Sequence, residues 1–159
     1  MNNTISQTEE LISTLSNSLP NPIPFVKILL CPPFVNILKA REISFGYPFH
    51  IGAQNCHTDH HGAFTGEVSA KMLKSVGCEY VIVGHSERRA YFNEDDSFIN
   101  KKIKVILETA MTPILCIGES LEQRRNGSTN DILKRQLEGC FEGIPSDDIK
   151  QIVIAYEPI

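Results

Sequence analysis

Five short apolar runs limit what this chain can fold into: Val26–Cys31, Phe49–Gln54, Tyr80–Gly84, Pro113–Ile117 and the run that ends at Glu157. Each is nearly continuous in apolar character, as in strands buried on both faces, and does not alternate with polar residues. Segments with apolar residues at helical spacing lie between them. Strands and helices that alternate with a period of roughly 30 residues imply crossover connections, and hence a parallel sheet covered by helices.

The intervening helices have readable ends. Thr4–Leu19 places Ile5, Leu11, Ile12, Leu15 and Leu19 on one face. Thr4-x-x-Gln7 and Ser6-x-x-Glu9 each offer a capping box, and Pro20, Pro22 and Pro24 end the segment. Phe34–Ile43 reads as a shorter helix, and Ser69–Val76 as another that stops at Gly77. Asp95 or Asp96 opens a helix with Phe98, Ile99, Ile103, Ile106 and Leu107 inward. Asn130 or Asp131 opens one that runs to about Phe141. Asn55–Glu67 is polar and glycine-bearing, hence a loop, and Asn126-Gly127 is a turn signal. No linker divides the chain, so residues 1–159 read as one α/β domain. Two architectures fit the pattern, an open doubly wound sheet and part of a (β/α) barrel. A closed barrel takes about eight strands. This sequence opens on a helix and ends on a strand, so the barrel reading expects an opening strand and a closing portion to be missing.

The net charge of −4 and the pI near 5.7 argue against a nucleic-acid or anionic-membrane binder. Five widely spaced cysteines with no CxxC pair argue against zinc and disulfide frameworks and suit a reducing compartment. There is no basic-then-apolar leader and no apolar stretch approaching roughly 18 residues, so a cytoplasmic protein that meets no membrane is expected.

Polar residues follow the strands: Asn55 the second, His85 the third, Glu119 the fourth and Glu157 the fifth. A parallel sheet puts all these ends on one rim, where catalytic groups of such folds collect. Pro158 cannot donate to a ladder and biases Glu157 away from helix, so the carboxylate sits at the mouth of a buried strand. In Gly84-His85-Ser86-Glu87-Arg88-Arg89, Gly84 permits a tight turn and Ser86 is a fair N-cap. The positive end of the following helix favours neutral imidazole at His85, a donor that can polarise a carbonyl. A histidine merely hydrogen-bonded at a strand end is the plainer alternative. Together, a histidine and a carboxylate on one rim can run proton transfer near neutral pH.

The other signals are weaker. His57-x-x-His60-His61 with Asp59 supplies metal-ligand types, but in a loop and without a placed fourth ligand, so a solvated loop is the better reading. Arg88-Arg89 and Arg124-Arg125 could meet phosphate, but ion-pairing roles are favoured. Glu119 is either a third acid or a loop anchor, Asn55 a supporting rim hydrogen-bonder, and Cys116 a packed thiol.

Five stretches carry a family resemblance. Ala53-Gln-Asn55, Gly62-Ala-Phe-Thr-Gly-Glu-Val-Ser69, Val83-Gly-His-Ser-Glu-Arg-Arg89, Ile114-Leu-Cys-Ile-Gly-Glu119 and Ala155-Tyr-Glu-Pro-Ile159 resemble, in order, the triosephosphate isomerase family. The resemblance implies a partial TIM (β/α) barrel of about five parallel strands, lacking the first and last strands. It implies an enzyme of glycolysis and gluconeogenesis, usually a homodimer, that interconverts dihydroxyacetone phosphate and glyceraldehyde 3-phosphate without metal or organic cofactor. Glu157 matches the family's general base and His85 its neutral electrophile, for which the family is a standing example. Ser86 and Glu87 match positions beside the site, and Thr65 matches a residue that reaches the partner subunit. The family's first strand also ends in an asparagine and a lysine, ahead of a pair that Met1-Asn2 resembles. A lid loop and phosphate-holding amides follow the position of Ile159. These parts are not in the 159 residues, so the chain taken alone is expected to be inactive or weakly active. The alternatives are a non-catalytic remnant and a phosphate-binding α/β module.

Overall fold

The computed structural model describes residues 2–20 and 25–158. Met1, Pro22, Pro24 and Ile159, invoked above, lie outside them. Strands β1 (Ile28–Leu30), β2 (Phe49–Ala53), β3 (Tyr80–Val83), β4 (Thr112–Ile117) and β5 (Val153–Tyr156) form one sheet. The helices are α1 (Ile5–Ser18), α2 (Ile37–Ile43), α3 (Ala70–Ser75), α4 (Ser86–Phe92), α5 (Asp96–Glu108), α6 (Leu121–Arg125), α7 (Thr129–Phe141) and α8 (Ser146–Ile149). A single 3₁₀ turn, Phe34–Asn36, leads into α2.

Strand order decides between the two architectures. Every strand pairs in parallel with its sequence neighbours, in the order β1-β2-β3-β4-β5. A doubly wound sheet reverses its order at a switch point. An unbroken sequential order is that of a barrel wall, and this chain forms about five-eighths of one.

The core lies between sheet and helices. Ile51, Ala53, Val81, Val83 and Leu115 of the sheet, and Ile99, Ile103 and Ile106 of α5, are fully buried there. Local chemistry sets most helix ends. Thr4 and Gln7 close the capping box of α1, with Gln7 N donating to Thr4 Oγ1 at 3.4 Å and Thr4 N to Gln7 Oε1 at 2.8 Å. Asp95 caps α5, accepting from Phe98 N at 2.7 Å. Gly77 ends α3 with φ +87°, in the left-handed region.

Four expectations are corrected. The buried face of α1 is Thr8 and Ile12, whereas Ile5 and Leu11 are about half exposed. The reason is the seam with the 3₁₀ turn, where Asn36 Nδ2 donates to Thr8 Oγ1 at 2.9 Å. His85, not Ser86, occupies the N-cap of α4. Ser128 occupies the N-cap position of α7 without a side-chain hydrogen bond, and the helix starts at Thr129, ahead of Asn130. Finally, β5 is not a buried strand: Val153, Ile154 and Tyr156 are 43–49% exposed, because β5 pairs on one side only, with β4.

The cysteines are all free, and four of the five are buried. Burial pushes the Cys31, Cys56 and Cys140 thiols up to about 12 and Cys78 up to about 11. Each folded value lies above the ordinary 9.0, so the stabilising contribution is complete below pH 9.0 and is lost as pH rises towards those values. Two outcomes are expected. A thiol reagent at pH 8 labels the native protein at least about tenfold more slowly than the urea-unfolded protein. Urea midpoints fall steadily above pH 9; a midpoint flat up to pH 11 would contradict the burial account.

Candidate active site

The four strand-end residues do share one rim, but only two of them meet. His85 Nε2 lies 3.6 Å from Glu157 Oε2. The imidazole is about one-third exposed and the carboxylate just over half, so both are open to solvent. Beside the pair, Gly84, Ser86, Arg89, Cys116, Gly118 and Glu157 line a small cleft of about 10 Å³, of which His85 is not a wall.

Backbone geometry brings the pair together. Gly84 ends β3 with φ +72°, which turns the chain tightly into α4. At the first position past β4, a Cβ on Gly118 would collide with Glu157 O, so glycine there lets the two strand ends lie side by side. Glu157 N donates to Ile117 O at 2.9 Å, which extends the β4–β5 ladder to the acid itself. His85 Nδ1 accepts from Glu87 N at 3.3 Å. A ring nitrogen that accepts carries no hydrogen in the neutral ring, so Nε2 bears it and points its donor towards Glu157.

The supporting residues are held in different ways. Ser86 opens α4 and lines the cleft. Glu87 is largely exposed, its carboxylate 3.7 Å from His85 Nδ1. Asn55 is buried and accepts from Lys102 Nζ at 2.7 Å. Lys102 also donates to Glu94 Oε1 at 2.6 Å, and the same oxygen accepts from Arg88 Nε at 2.7 Å. The side chains of Lys102 and Glu94 are only 2% and 3% exposed. Desolvation by burial lowers the Lys102 pKa, against the opposing pull of Glu94. This charged string ties the end of β2 to α4, the helix that His85 caps.

Glu119 does not join the pair. It is fully buried and accepts from Tyr156 Oη at 3.0 Å, Thr129 Oγ1 at 3.1 Å and Arg124 Nη1 at 3.3 Å. Burial pushes its carboxyl up, but a backbone hydrogen bond, Tyr156, Thr129 and the charge of Arg124 outweigh that and hold it below the ordinary 4.5. It anchors the loop beyond β4 to β5 and α7. Arg88 and Arg89 pair with Glu94 and Asp96 and so are ion-pairing residues. In the Asn55–Glu67 loop, His57 packs edge-on against Phe64, His60 pairs with Glu108, and Thr65 is exposed. Among the described residues, no three His, Cys, Asp or Glu side chains gather where they could hold a metal. None of the described helices is long and apolar enough to cross a membrane.

Sequence reasoning did not find Lys102, Glu94 or Tyr156. A signal existed for Lys102: it shares the helical face of Ile99, Ile103 and Ile106, where a lysine needs a buried partner.

A sequential parallel sheet flanked by helices defines the class, a partial (β/α) barrel, with a histidine and a carboxylate together at its carboxyl rim. Comparison with known proteins gives the family. The sequence model of the family described as Triosephosphate isomerase matches residues 1–159. Triosephosphate isomerase of Alkaliphilus oremlandii is 49% identical over 134 residues, covering 84% of this chain and 54% of its own length. That of Aquifex aeolicus is 46% identical over 159 residues, covering all of this chain and 64% of its own. The crystal structure of triosephosphate isomerase from Bartonella henselae superposes with a TM-score of 0.89 at 34% identity, covering 99% of this chain and 64% of that one. The chain belongs to the triosephosphate isomerase family and spans less than two-thirds of the length of these relatives.

Two stability outcomes follow from the ion pairs. Glu94→Gln strands the buried Lys102 ammonium and should cost about 3–5 kcal/mol in urea unfolding, whereas a cost under about 1 kcal/mol would mean the pair is solvated. Glu119 contributes stability above the ordinary carboxylate value and loses it as pH falls through its lower folded value. Glu119→Gln is therefore less stable than the parent at pH 7, with the difference narrowing towards pH 3. A difference that widens on acidification would reverse the assigned direction.

Proposed function

We propose that this chain carries the proton-transfer rim of a triosephosphate isomerase, interconverting dihydroxyacetone phosphate and glyceraldehyde 3-phosphate. The observation that carries this reading is the 3.6 Å approach of His85 Nε2 to Glu157 Oε2 at the carboxyl ends of neighbouring barrel strands. A three-carbon substrate lying over the exposed pair would place its carbonyl oxygen against Nε2–H and an adjacent C–H against the carboxylate.

The chemistry is an internal redistribution of two protons, one on carbon and one on oxygen, with the electron pairs they leave behind. Glu157 removes a proton from the carbon next to the carbonyl, and the C–H electrons form the carbon–carbon double bond of an enediolate. The carbonyl π electrons move onto oxygen, where Nε2–H of His85 stabilises the charge. Glu157 then returns the proton to the other carbon, while the hydroxyl proton passes from the first oxygen to the second by way of His85 Nε2, so that the hydroxyl becomes the new carbonyl and the old carbonyl a hydroxyl. Nothing is oxidised or reduced overall, so the reaction requires no redox cofactor. Ser86, Glu87 and Asn55 support this pair: Glu87 N sets the ring tautomer, and Asn55 ties the rim to Lys102. The wider reading is one barrel domain of a cytoplasmic homodimer serving glycolysis and gluconeogenesis, with Thr65 at the subunit contact.

Two assays test it. Residues 1–159, carried in place of the matching span of the Aquifex aeolicus enzyme, should sustain isomerase turnover. Glu157→Gln should lower kcat by at least about 10²-fold, the low end for a positioned acid or base. Turnover untouched by that substitution would remove Glu157 as the base. The 159 residues on their own should be slower than the completed barrel by about 10²–10³ or more, the typical loss for one missing electrostatic donor.

A further inference from the structure

His85 can serve as a donor only if its ring is aimed, and aiming a ring at a strand end means fixing the two peptide units on either side of its α-carbon. Arg89 touches both, sharing His85 O with the Arg88 backbone N–H, which donates at 2.9 Å. Arg89 donates its backbone N–H to His85 O at 3.1 Å, and its side-chain Nε to Gly84 O at 2.8 Å. The guanidinium is then used up. Nη1 donates to Asp96 Oδ1 at 2.6 Å, and Nη2 reaches Cys116 O at 3.5 Å and Cys140 Sγ at 3.9 Å. Gly84 O belongs to the end of β3 and Cys116 O to β4, the strand whose Ile117 O receives Glu157 N. The site would not accept a bulkier residue at 84: a Cβ there would meet Cys116 O at 3.1 Å and Arg89 Nη2 at 3.2 Å.

We propose that Arg89 is a positioning residue for the reaction. Its planar fork, locked by Asp96, fixes the Gly84 carbonyl that leads into His85 and ties it to the strand that supports Glu157. This rests on the reading of His85 and Glu157 as the reacting pair, but its geometric content is separate from turnover. Lysine cannot do the same work. It keeps the charge facing Asp96, but it has one nitrogen and cannot bridge Gly84 O, Cys116 O and Asp96 at once.

The test is nuclear magnetic resonance of the full chain labelled with ¹⁵N, with His85 assigned by the loss of its ring signals in His85→Gln. The two readouts are the His85 ring nitrogens and hydrogen exchange of the Glu87 amide, which donates to His85 Nδ1. In Arg89→Lys the ring nitrogens should move and the Glu87 amide should exchange at least tenfold faster. Arg88→Lys removes the other arginine fork of α4, paired with Glu94, and should leave both readouts at parent values even where it lowers the melting temperature equally. If Arg89→Lys is too unstable to study, Asp96→Asn loosens the fork with the arginine in place and should shift both readouts the same way by a smaller amount. Parent-like readouts in Arg89→Lys, or in Asp96→Asn where that variant stands in, would overturn the proposal, as would equal changes in Arg88→Lys. Because nothing here depends on catalysis, a positive result with no isomerase activity in the completed barrel would defeat the functional reading and leave the positioning role intact.

Discussion

In-order parallel hydrogen bonding of the strands is the constraint from which the rest follows. Because β1 to β5 pair strictly with their sequence neighbours, every carboxyl end falls on one rim. The register then sets which ends are adjacent. Cys116 sits opposite Ala155 and Ile117 opposite Tyr156, so the residue after β5 lands beside Gly118. One strand over, Val83 pairs with Leu115, which sets His85 beside the same β4 end. The meeting of His85 and Glu157 is thus a consequence of two ladders that share a central strand.

Hydrophobic burial holds the wall but does not aim the site. The apolar core lies on the helix side of the sheet, where Val81, Val83 and Leu115 meet the isoleucines of α5. On the rim the work passes to buried and half-buried charge. Lys102 and Glu94 tie Asn55 to α4, Arg89 and Asp96 grip the His85 turn, and Glu119 anchors the loop past β4 to Tyr156. Such pairs are weak sources of net stability, but breaking one partner is costly, so each fixes one arrangement of a loop that would otherwise have several.

The sequence made the alternation of strands and helices legible because continuous apolar runs and capping residues are local signals. Thr4, Asp95 and Gly77 act where short-range chemistry places them. His85 and Glu157 were legible for the same reason: each follows a strand directly. What failed was set by tertiary packing. Leu11 and Ile5 look like core positions but are exposed, because α1 rests on its Thr8–Ile12 face; the exposure of β5 depends on which edges are paired. Lys102 looks like a surface lysine until its three isoleucine neighbours on α5 are counted. The α6 capping box, Ser120 with Gln123, was present in the sequence but went unread because the helix is only five residues long.

The central claim is that His85 and Glu157 act on one substrate as a unit. A double-mutant cycle on kcat tests it most directly, with His85→Gln, Glu157→Gln and both together in the completed barrel. Groups that act as a unit give strongly non-additive losses, so the double variant should be about as slow as the slower single variant. Losses that multiply in full would mean that the two side chains work independently, and the paired-rim account would be wrong.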